Sequence, residues 1–248
     1  MNFIEIGNPK SPTVVFAHGW GRNHADFFAI SEALNNDIHA ILLDLPGFGE
    51  SKRPEQTWDT IDYAENAYDF LRQKGFNSFV WVGHSFGGRI GLRLAVLHPK
   101  SVKALVLVGS AGVPRRRTAT SKLSSKFKSR LFQLKKKKAK SLEKIEALEI
   151  QYGSADYVQS RSLGMRDIFL KTVNEDQSDS IPKISCATEL LYGDQDKETP
   201  TQLGQQICSL IPEANLTILP EMGHIDILSR GRHIIALRIK ELLSGSDR

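Results

Sequence analysis

The sequence predicts an α/β protein with a mostly parallel central sheet that is flanked by helices. Short apolar runs alternate along the chain with longer stretches of helical periodicity, which is typical of strand–helix–strand crossover units. The chain has 248 residues, of which 40% are hydrophobic and 25% are charged, so it can bury the core of one large domain. No segment approaches the roughly 18 apolar residues of a membrane span.

Each strand is predicted from an apolar run that is too short to form a helix. The first run, residues 2–7, is predicted to be an edge strand. The other runs are residues 13–17, 40–45, 79–82, 104–108, 187–192 and 216–219.

The helices are predicted from apolar residues that recur at helical spacing. Residues 57–74 show this spacing and are followed by Gly75, a residue that favours the turn at a helix C-terminus. A second helix begins after the run 79–82 and ends at His98 and Pro99. The remaining predicted helices are residues 25–34, 201–210 and the amphipathic stretch 225–243.

The strand pattern is interrupted between Val113 and Pro182. This stretch contains basic helical segments and a further helical segment from Tyr157 to Val173. We therefore predict a core of residues 1–112 and 183–248 with a helical insertion, residues 113–182. The insertion also carries the positive charge: residues 115–144 contain thirteen Lys and Arg and one acidic residue, a charge of +12 against +5 for the whole chain.

The stretch Gly83-His84-Ser85-Phe86-Gly87 follows a predicted strand and precedes a predicted helix. A serine on such a tight turn needs strained backbone angles, and side chains at Gly83 and Gly87 would collide with its neighbours. The turn also places the serine at a helix N-terminus, where free N–H groups favour a developing oxyanion. The pattern predicts that Ser85 is a nucleophile on a strand-to-helix elbow.

Three residues at predicted strand ends have the chemistry of a catalytic triad: Ser85, Asp196 and His224. The carboxyl ends of parallel strands meet at one edge of a sheet, so these side chains are expected to lie close together. A serine hydroxyl needs an imidazole to accept its proton, and the imidazole needs an anion to fix its tautomer. We assign these three roles to Ser85, His224 and Asp196, respectively.

Five motifs in chain order resemble those of α/β-hydrolase fold proteins with a helical cap, and the resemblance covers essentially the whole chain. They are His18-Gly19-Trp20-Gly21, the segment 44–51 (DLPGFGES), the elbow 83–87, the turn 193–196 (GDQD) and Gly223-His224. The resemblance implies an oxyanion hole formed by the backbone N–H groups of Trp20 and Phe86. Serine in the elbow argues against haloalkane dehalogenases and epoxide hydrolases, which have aspartate there.

The family pattern also bears on the alternative residues at the site. It uses the second acid of the turn, which favours Asp196 over Asp194. It favours His224 as the base over His18, which is expected to brace the oxyanion loop. His84 is expected to pack into the sheet, and Asp226 to act as an N-cap or first-turn acid of a helix.

Arg89 continues the elbow as Gly87-Gly88-Arg89. This resembles hydrolase-fold enzymes that act on carboxylated substrates, such as the menaquinone-pathway synthase that eliminates pyruvate, and Arg89 is a tentative substrate-binding residue on that ground. The alternative is a structural salt bridge at the start of the helix.

A helix in the insertion is predicted to have one apolar stripe, formed by Leu123, Phe127, Leu131 and Leu134. The stripe is expected to cover the active site while the lysines face solvent. Two alternatives are a basic amphipathic surface that contacts anionic lipid and an electrostatic attraction of anionic substrate. Nucleic acid is the least favoured partner, because no recognition motif accompanies the charge.

These observations predict a cytoplasmic serine hydrolase, esterase-like, that cleaves a small carboxylic ester through an acyl-enzyme. No leader sequence is recognised at residues 1–7, and the spacing of Cys186 and Cys208 does not fit a metal site or a redox pair. No cofactor or metal is expected. The alternatives are a carbon–carbon bond hydrolase, a lyase that uses the same triad on a carboxylated substrate, and a ligand-binding protein with little turnover.

Overall fold

The computed structural model describes residues 1–34, 37–115, 119–139 and 141–245; the side chains of residues 119–126, 128, 129 and 142 are outside this description. Within it, seven strands form a single sheet in the order β1-β3-β2-β4-β5-β6-β7. The strands are β1 (Asn2–Gly7), β2 (Thr13–Ala17), β3 (His39–Asp44), β4 (Phe79–His84), β5 (Val102–Val108), β6 (Ala187–Gly193) and β7 (Ala214–Leu219). Every pairing is parallel except that of the edge strand β1 with β3, so the predicted mostly parallel sheet is confirmed.

Helices pack on both faces of the sheet. Apolar side chains that alternate along the strands divide the core into two clusters, one of which contains Trp81 and Leu105 and the other Val80 and Val106. The helices outside the insertion are α1 (Phe28–Leu34), α2 (Thr60–Gln73), α3 (Phe86–Leu97), α8 (Thr201–Cys208), α9 (Asp226–Arg230) and α10 (Arg232–Gly245). Burial on both faces explains why the central strands are apolar throughout.

Two predicted helices have different boundaries in the structure. The helix predicted from residue 57 begins at Thr60, because the Asp59 side chain accepts hydrogen bonds from the N–H groups of Ile61 and Asp62 and forms a capping box. The final helix is not continuous: it is divided into α9 and α10 at Gly231, where a Cβ atom would lie 2.5 Å from the carbonyl oxygen of Ile227.

The segment between β5 and β6 contains four helices within the described residues. They are α4 (Ala119–Lys138), α5 (Leu142–Tyr152), α6 (Ala155–Ser162) and α7 (Arg166–Val173). The stretch predicted as helical from Tyr157 to Val173 is divided at Gly164, whose φ of +63° ends α6 in a left-handed turn. The boundaries of the insertion as a separate domain stay a prediction.

The apolar stripe predicted for α4 is wrong in its direction. Phe127 and Leu134 are 68% and 59% exposed, whereas Phe132 is buried. The helix is turned by the contacts of Phe132 with the rings of Tyr152 and Tyr157. The side chain of Leu123 lies outside the described residues.

In the parts of the chain that the structure describes, we find no helix with both the length and the apolar character that crossing a bilayer requires.

Candidate active site

The three proposed triad residues follow the carboxyl ends of three parallel strands. Ser85 comes directly after β4, Asp196 lies in the turn after β6, and His224 lies in the loop between β7 and α9. Because β4, β5, β6 and β7 are consecutive in the sheet, their loops converge at one edge. The ring of His84, the residue before Ser85, lies 4.7 Å from the ring of His224, measured between centroids.

The elbow holds Ser85 in a strained conformation. Its φ of 50° and ψ of −103° are rare for a residue with a side chain. The flanking glycines make the turn possible, because a Cβ on Gly83 would lie 2.5 Å from the carbonyl group of Gly87, and one on Gly87 would overlap the carbonyl oxygen of Ala17. The Trp81 indole N–H donates to the carbonyl oxygen of Gly87 at 2.9 Å and fixes the turn against the sheet. Ser85 is thereby placed at the start of α3 and lines the cleft.

Asp196 and His224 form a direct hydrogen bond. The distance from His224 Nδ1 to Asp196 Oδ2 is 2.7 Å, and the Asp196 side chain is 1% exposed. The other carboxylate oxygen, Oδ1, accepts from the backbone N–H groups of Glu198 and Thr199, both at 2.8 Å. These bonds leave His224 Nε2 as the ring nitrogen that is free to exchange a proton with substrate.

The two groups shift each other's pKa in opposite directions. Burial raises the pKa of Asp196, but the hydrogen bonds from His224 and Thr199 outweigh burial and hold that pKa below its ordinary value. Burial lowers the pKa of His224, but the hydrogen bond to Asp196 and the nearby negative charges outweigh it and raise that pKa. An anionic aspartate and a histidine of raised basicity are what a general base requires.

Thr199 belongs to the same network, although the sequence analysis did not identify it. Its Oγ1 lies 2.7 Å from Asp196 Oδ2, 3.1 Å from His224 Nδ1 and 2.9 Å from the carbonyl oxygen of Gly109. The signal available in the sequence is a threonine three residues after an aspartate in a turn, which favours local side-chain hydrogen bonds. Thr199 therefore positions the carboxylate against the imidazole.

The backbone N–H groups of Trp20 and Phe86 are the predicted oxyanion hole. Their rings pack against each other with centroids 5.3 Å apart, and both residues line the cleft that contains Ser85. The N–H of Gly87 donates to the carbonyl oxygen of His18 at 3.1 Å, which joins the loop after β2 to the elbow. Within the described part of the chain neither the Trp20 nor the Phe86 N–H has an acceptor, so both can donate to a bound oxygen atom.

His18 and His84 are buried and neutral supports of these loops. His18 Nε2 accepts from the N–H of Leu45 at 3.0 Å, and its Nδ1 donates to the carbonyl oxygen of Gly19 at 2.7 Å. His84 Nε2 donates to the backbone carbonyl oxygen of His224 at 2.9 Å. Burial lowers the pKa of His18 to about 4 and that of His84 to about 3. Neither imidazole has the raised basicity of His224.

Arg89 does not form the salt bridge that the sequence suggested as its structural role. Its guanidinium group donates to the carbonyl oxygens of Thr172, Val173 and Glu175, at 3.1, 3.4 and 3.3 Å. These carbonyl groups are at the C-terminal end of α7, where helix carbonyls lack intrahelical partners and a cation is favourable. Arg89 lines the cleft, but these bonds make it an anchor for the inserted helices.

The cleft above Ser85 has a volume of about 770 Å³. Its floor is formed by Trp20, Phe86 and other residues of the sheet edge, and its roof by residues of α6 and α7, among them Asp156 and Phe169. Gln159 on α6 also reaches the loop after β2, where its Nε2 donates to the carbonyl oxygen of Gly21 at 3.2 Å. The inserted helices therefore shape the space in which a substrate would bind.

Among the residues that the structure describes, no group of three or more His, Cys, Asp or Glu is arranged to hold a metal ion. Cys186 and Cys208 are both free thiols.

Comparisons with known proteins relate the chain to a large group of enzymes. The profile of a family described as alpha/beta hydrolase fold matches residues 12–230. Lipase 1 of Psychrobacter immobilis is 27% identical over 251 residues, which cover 92% of this chain and 76% of the lipase. A crystal structure of a bacterial membrane phospholipase A superposes with a TM-score of 0.75 at 24% identity, covering 99% of this chain and 83% of that one; at this identity it supports the fold alone.

A plant protein matches part of the chain only. The 1-acylglycerol-3-phosphate O-acyltransferase of Arabidopsis thaliana is 33% identical over 123 residues, 48% of this chain and 29% of the acyltransferase. The chain thus spans less than a third of the length of that relative.

Proposed function

The chain belongs to the alpha/beta hydrolase family, and we propose that within this family it is a serine hydrolase that cleaves small carboxylic esters through an acyl-enzyme. One observation carries the proposal: the 2.7 Å hydrogen bond between Asp196 and His224 at the sheet edge where the strained Ser85 begins α3. The resemblance to lipases over 92% of the chain supports ester hydrolysis as the type of reaction.

In the proposed reaction His224 Nε2 accepts the hydroxyl proton of Ser85 while the serine oxygen attacks the ester carbonyl carbon. The resulting imidazolium is stabilised by Asp196, whose low pKa keeps it ionised at neutral pH. The imidazolium then donates its proton to the leaving alkoxide, and an acyl group remains on Ser85. A water molecule, activated by the same imidazole, hydrolyses the acyl-enzyme.

The negative charge of each tetrahedral intermediate develops on the former carbonyl oxygen. The N–H groups of Trp20 and Phe86 would donate to this oxygen, and they are held in place before substrate binds by the bond between Gly87 and His18. Donors that need no reorganisation contribute the largest share of such catalysis, and loss of one costs about 10²- to 10³-fold in rate.

The alternative of a carbon–carbon bond hydrolase or lyase on a carboxylated substrate depended on Arg89. The guanidinium group of Arg89 already donates to three carbonyl oxygens at the end of α7, so it is poorly placed to bind a carboxylate as well.

The partial match to an acyltransferase fits the same acyl-enzyme, since an alcohol can replace water in the second step. Analysis of the products formed in the presence of added alcohol distinguishes hydrolysis of the acyl-enzyme from transfer of its acyl group to the alcohol.

The proposal is tested by hydrolysis of p-nitrophenyl esters of increasing acyl length by the wild-type protein, Ser85→Ala and the control Ser229→Ala, which changes an exposed serine. We expect Ser85→Ala to lose at least about 10⁴-fold in kcat while it keeps its folded circular dichroism spectrum. Ser229→Ala should keep the wild-type rate. A folded Ser85→Ala protein with most of its turnover would overturn the proposal.

A further inference from the structure

Two carboxylates line the cleft near His224. Glu198 follows Asp196 in the turn after β6, and its Oε2 lies 3.8 Å from His224 Nε2. Asp156 lies in the first turn of α6 on the opposite wall and lines the same cleft. The two acids therefore reach the site from the core and from the insertion.

Within the described residues, neither carboxylate forms an ion pair with a lysine or an arginine. Of the basic residues that line the cleft, Arg89 is bound to the carbonyls of α7, and Arg115 donates to the backbone oxygens of Lys197 and Glu198. Within the described residues Lys197 forms no ion pair. The remaining acids of the cleft have partners, since Glu175 pairs with Arg93 at 3.3 Å and Asp176 accepts from Ser178.

The position of the pair identifies the part of the substrate that it would contact. His224 Nε2 gives its proton to the leaving oxygen, so the alcohol portion of an ester must lie beside Nε2 during the reaction. Glu198 is on that side. Asp156 lines the same cleft as Glu198, and burial, with a smaller contribution from the charge of Glu198, raises the pKa of Asp156 to about 6.

We propose that Asp156 and Glu198 select esters whose alcohol portion carries a positive charge, such as esters of amino alcohols or of quaternary ammonium alcohols. A cation near both carboxylates gains electrostatic energy and relieves their mutual repulsion, whereas a carboxylated alcohol would be repelled. The inference deepens the proposed ester hydrolysis and depends on it.

The test compares two thioesters of nearly the same shape, acetylthiocholine and its uncharged analogue 3,3-dimethylbutyl thioacetate. At about pH 8 Asp156 is ionised, and we expect kcat/KM to be about tenfold higher for the cationic ester and to fall towards equality as salt is added. The ratio of the two kcat/KM values is used because effects of a variant on folding or on His224 cancel in it.

The variants Asp156→Asn and Glu198→Gln should each lower this ratio, and the double variant should bring it close to one. Glu213→Gln, which changes an exposed carboxylate just before β7, at the sheet edge opposite the catalytic loops, should keep the wild-type ratio. A wild-type ratio near one, or a ratio that the double variant leaves unchanged, overturns the inference and leaves ester hydrolysis intact. Failure to cleave either ester or any p-nitrophenyl ester overturns both.

A second inference comes from the outer face of α4, independently of the cleft. Phe127 and Leu134 are exposed there, and Arg130, Lys137 and Lys138 are exposed as well. Because successive residues of a helix are rotated by about 100°, these five side chains occupy roughly a third of its circumference. The opposite side is turned inward.

The contacts on the opposite side of α4 show that this opposite side, and not the exposed one, packs against the protein. Phe132 on that side packs against Tyr152 and Tyr157, and Lys136 pairs with the buried Glu149 at 2.7 Å. On the neighbouring helix α5, Ile150 is also 69% exposed. Phe127 and Leu134 thus stand among cations in residues 115–144, the segment that carries a charge of +12.

We infer that this face of α4 binds an anionic lipid surface. Lysine and arginine side chains are attracted to anionic headgroups, while Phe127 and Leu134 can enter the boundary between headgroups and acyl chains. Neither interaction alone explains the combination of apolar and basic residues on one helix face.

The test is flotation of the protein with vesicles of phosphatidylcholine alone or with about 30% phosphatidylglycerol. We expect binding to the anionic vesicles only, with loss of binding in Lys137→Glu/Lys138→Glu and weaker binding in Phe127→Ser. The control Lys100→Glu/Lys103→Glu reverses two exposed charges outside the insertion and should bind as the wild type does. Equal binding to both kinds of vesicle, binding that the α4 variants retain, or binding to duplex DNA but to no vesicle overturns the inference.

Discussion

The loops around Ser85 and the inserted helices are stabilised differently. Two uncharged histidines, His18 and His84, and several backbone hydrogen bonds support the loops around Ser85 and His224. In the insertion, Glu149 is 1% exposed and pairs with Lys136, Arg161 and Arg166. We therefore expect the catalytic geometry to withstand the loss of the charges that hold the roof of the cleft.

Substitution of Asp196 is expected to have the largest effect on kcat, because the reaction needs the charge of this carboxylate. Asp196→Asn should lower kcat by about 10⁴-fold, because an amide favours the wrong tautomer of His224. The control Asp194→Asn changes the neighbouring acid of the same turn and should stay near the wild type. A large loss in Asp194→Asn with a small one in Asp196→Asn would show that the acid has been assigned to the wrong residue.

Asp196→Asn should also change the pH dependence of kcat/KM. His224 must be neutral to accept a proton, so kcat/KM falls as pH drops through its pKa, which Asp196 raises above the ordinary value. Residual activity of Asp196→Asn should therefore decline at a lower pH than wild-type activity. An acid limb at the same pH in both proteins would contradict the pairing.

Substitution of Glu149 tests whether charged contacts stabilise the inserted helices. Glu149→Gln leaves three cations in the insertion without their buried partner, and we expect the inserted helices to lose about 3 kcal/mol of local stability. Hydrogen exchange of residues 141–173 should accelerate while that of β4 and β5 does not. The exposed Glu146→Gln is the matched control. Equal acceleration in the insertion and in the sheet would mean that the two regions unfold together.

Thr199 is expected to have a smaller effect on the reaction. Thr199→Val removes the hydroxyl group that contacts both Asp196 and His224, and it should lower kcat about tenfold with little change in KM. Thr199→Ser should restore most of the rate, because it keeps the hydroxyl group. A Thr199→Ser protein as slow as Thr199→Val would show that the hydroxyl group by itself does not hold Asp196 against His224.

A pH dependence of stability is also expected from the edge. The pKa of His18 is about 4 and that of His84 about 3 in the folded protein, against 6.5 for an unperturbed histidine. The unfolded state therefore binds more protons below pH 6.5, and stability that is complete above this pH is lost as pH falls towards 4. The urea midpoint should decrease across this window, and less so in His84→Gln. A constant midpoint would show that these histidines are not buried in neutral form.

The positions of Ser85, Asp196 and His224 at the carboxyl ends of the strands could be predicted because each of them follows a recognisable strand run. A strand run, two glycines and a serine suffice to specify the elbow, and Asp196 and His224 follow other strands whose order the crossover rule restricts. The edge strand predicted at residues 2–7 is β1, the first strand of the sheet order; its antiparallel direction was not predicted. Thr199 was missed because a threonine in a turn has no distinctive pattern of its own.

The insertion was predicted less well because several of its contacts join distant residues and are ionic or made to backbone carbonyl groups. The direction of α4 depends on Phe132 and on the pairing of Lys136 with Glu149, thirteen residues away, which apolar periodicity does not register. Arg89 has backbone carbonyls more than eighty residues away as its acceptors, and no side-chain pattern marks them. The direction of α4 and the role of Arg89 therefore depend on contacts between distant residues, which the sequence pattern does not reveal.

The most direct test of the account is labelling of the folded protein with a fluorophosphonate, followed by intact mass measurement and peptide mapping. We predict one adduct per chain, on Ser85, and none in Ser85→Ala, because only a serine activated by His224 and Asp196 displaces fluoride from such a reagent. An adduct on another residue that persists in Ser85→Ala, or an unlabelled folded protein, would contradict the central claim that Ser85 is an activated nucleophile.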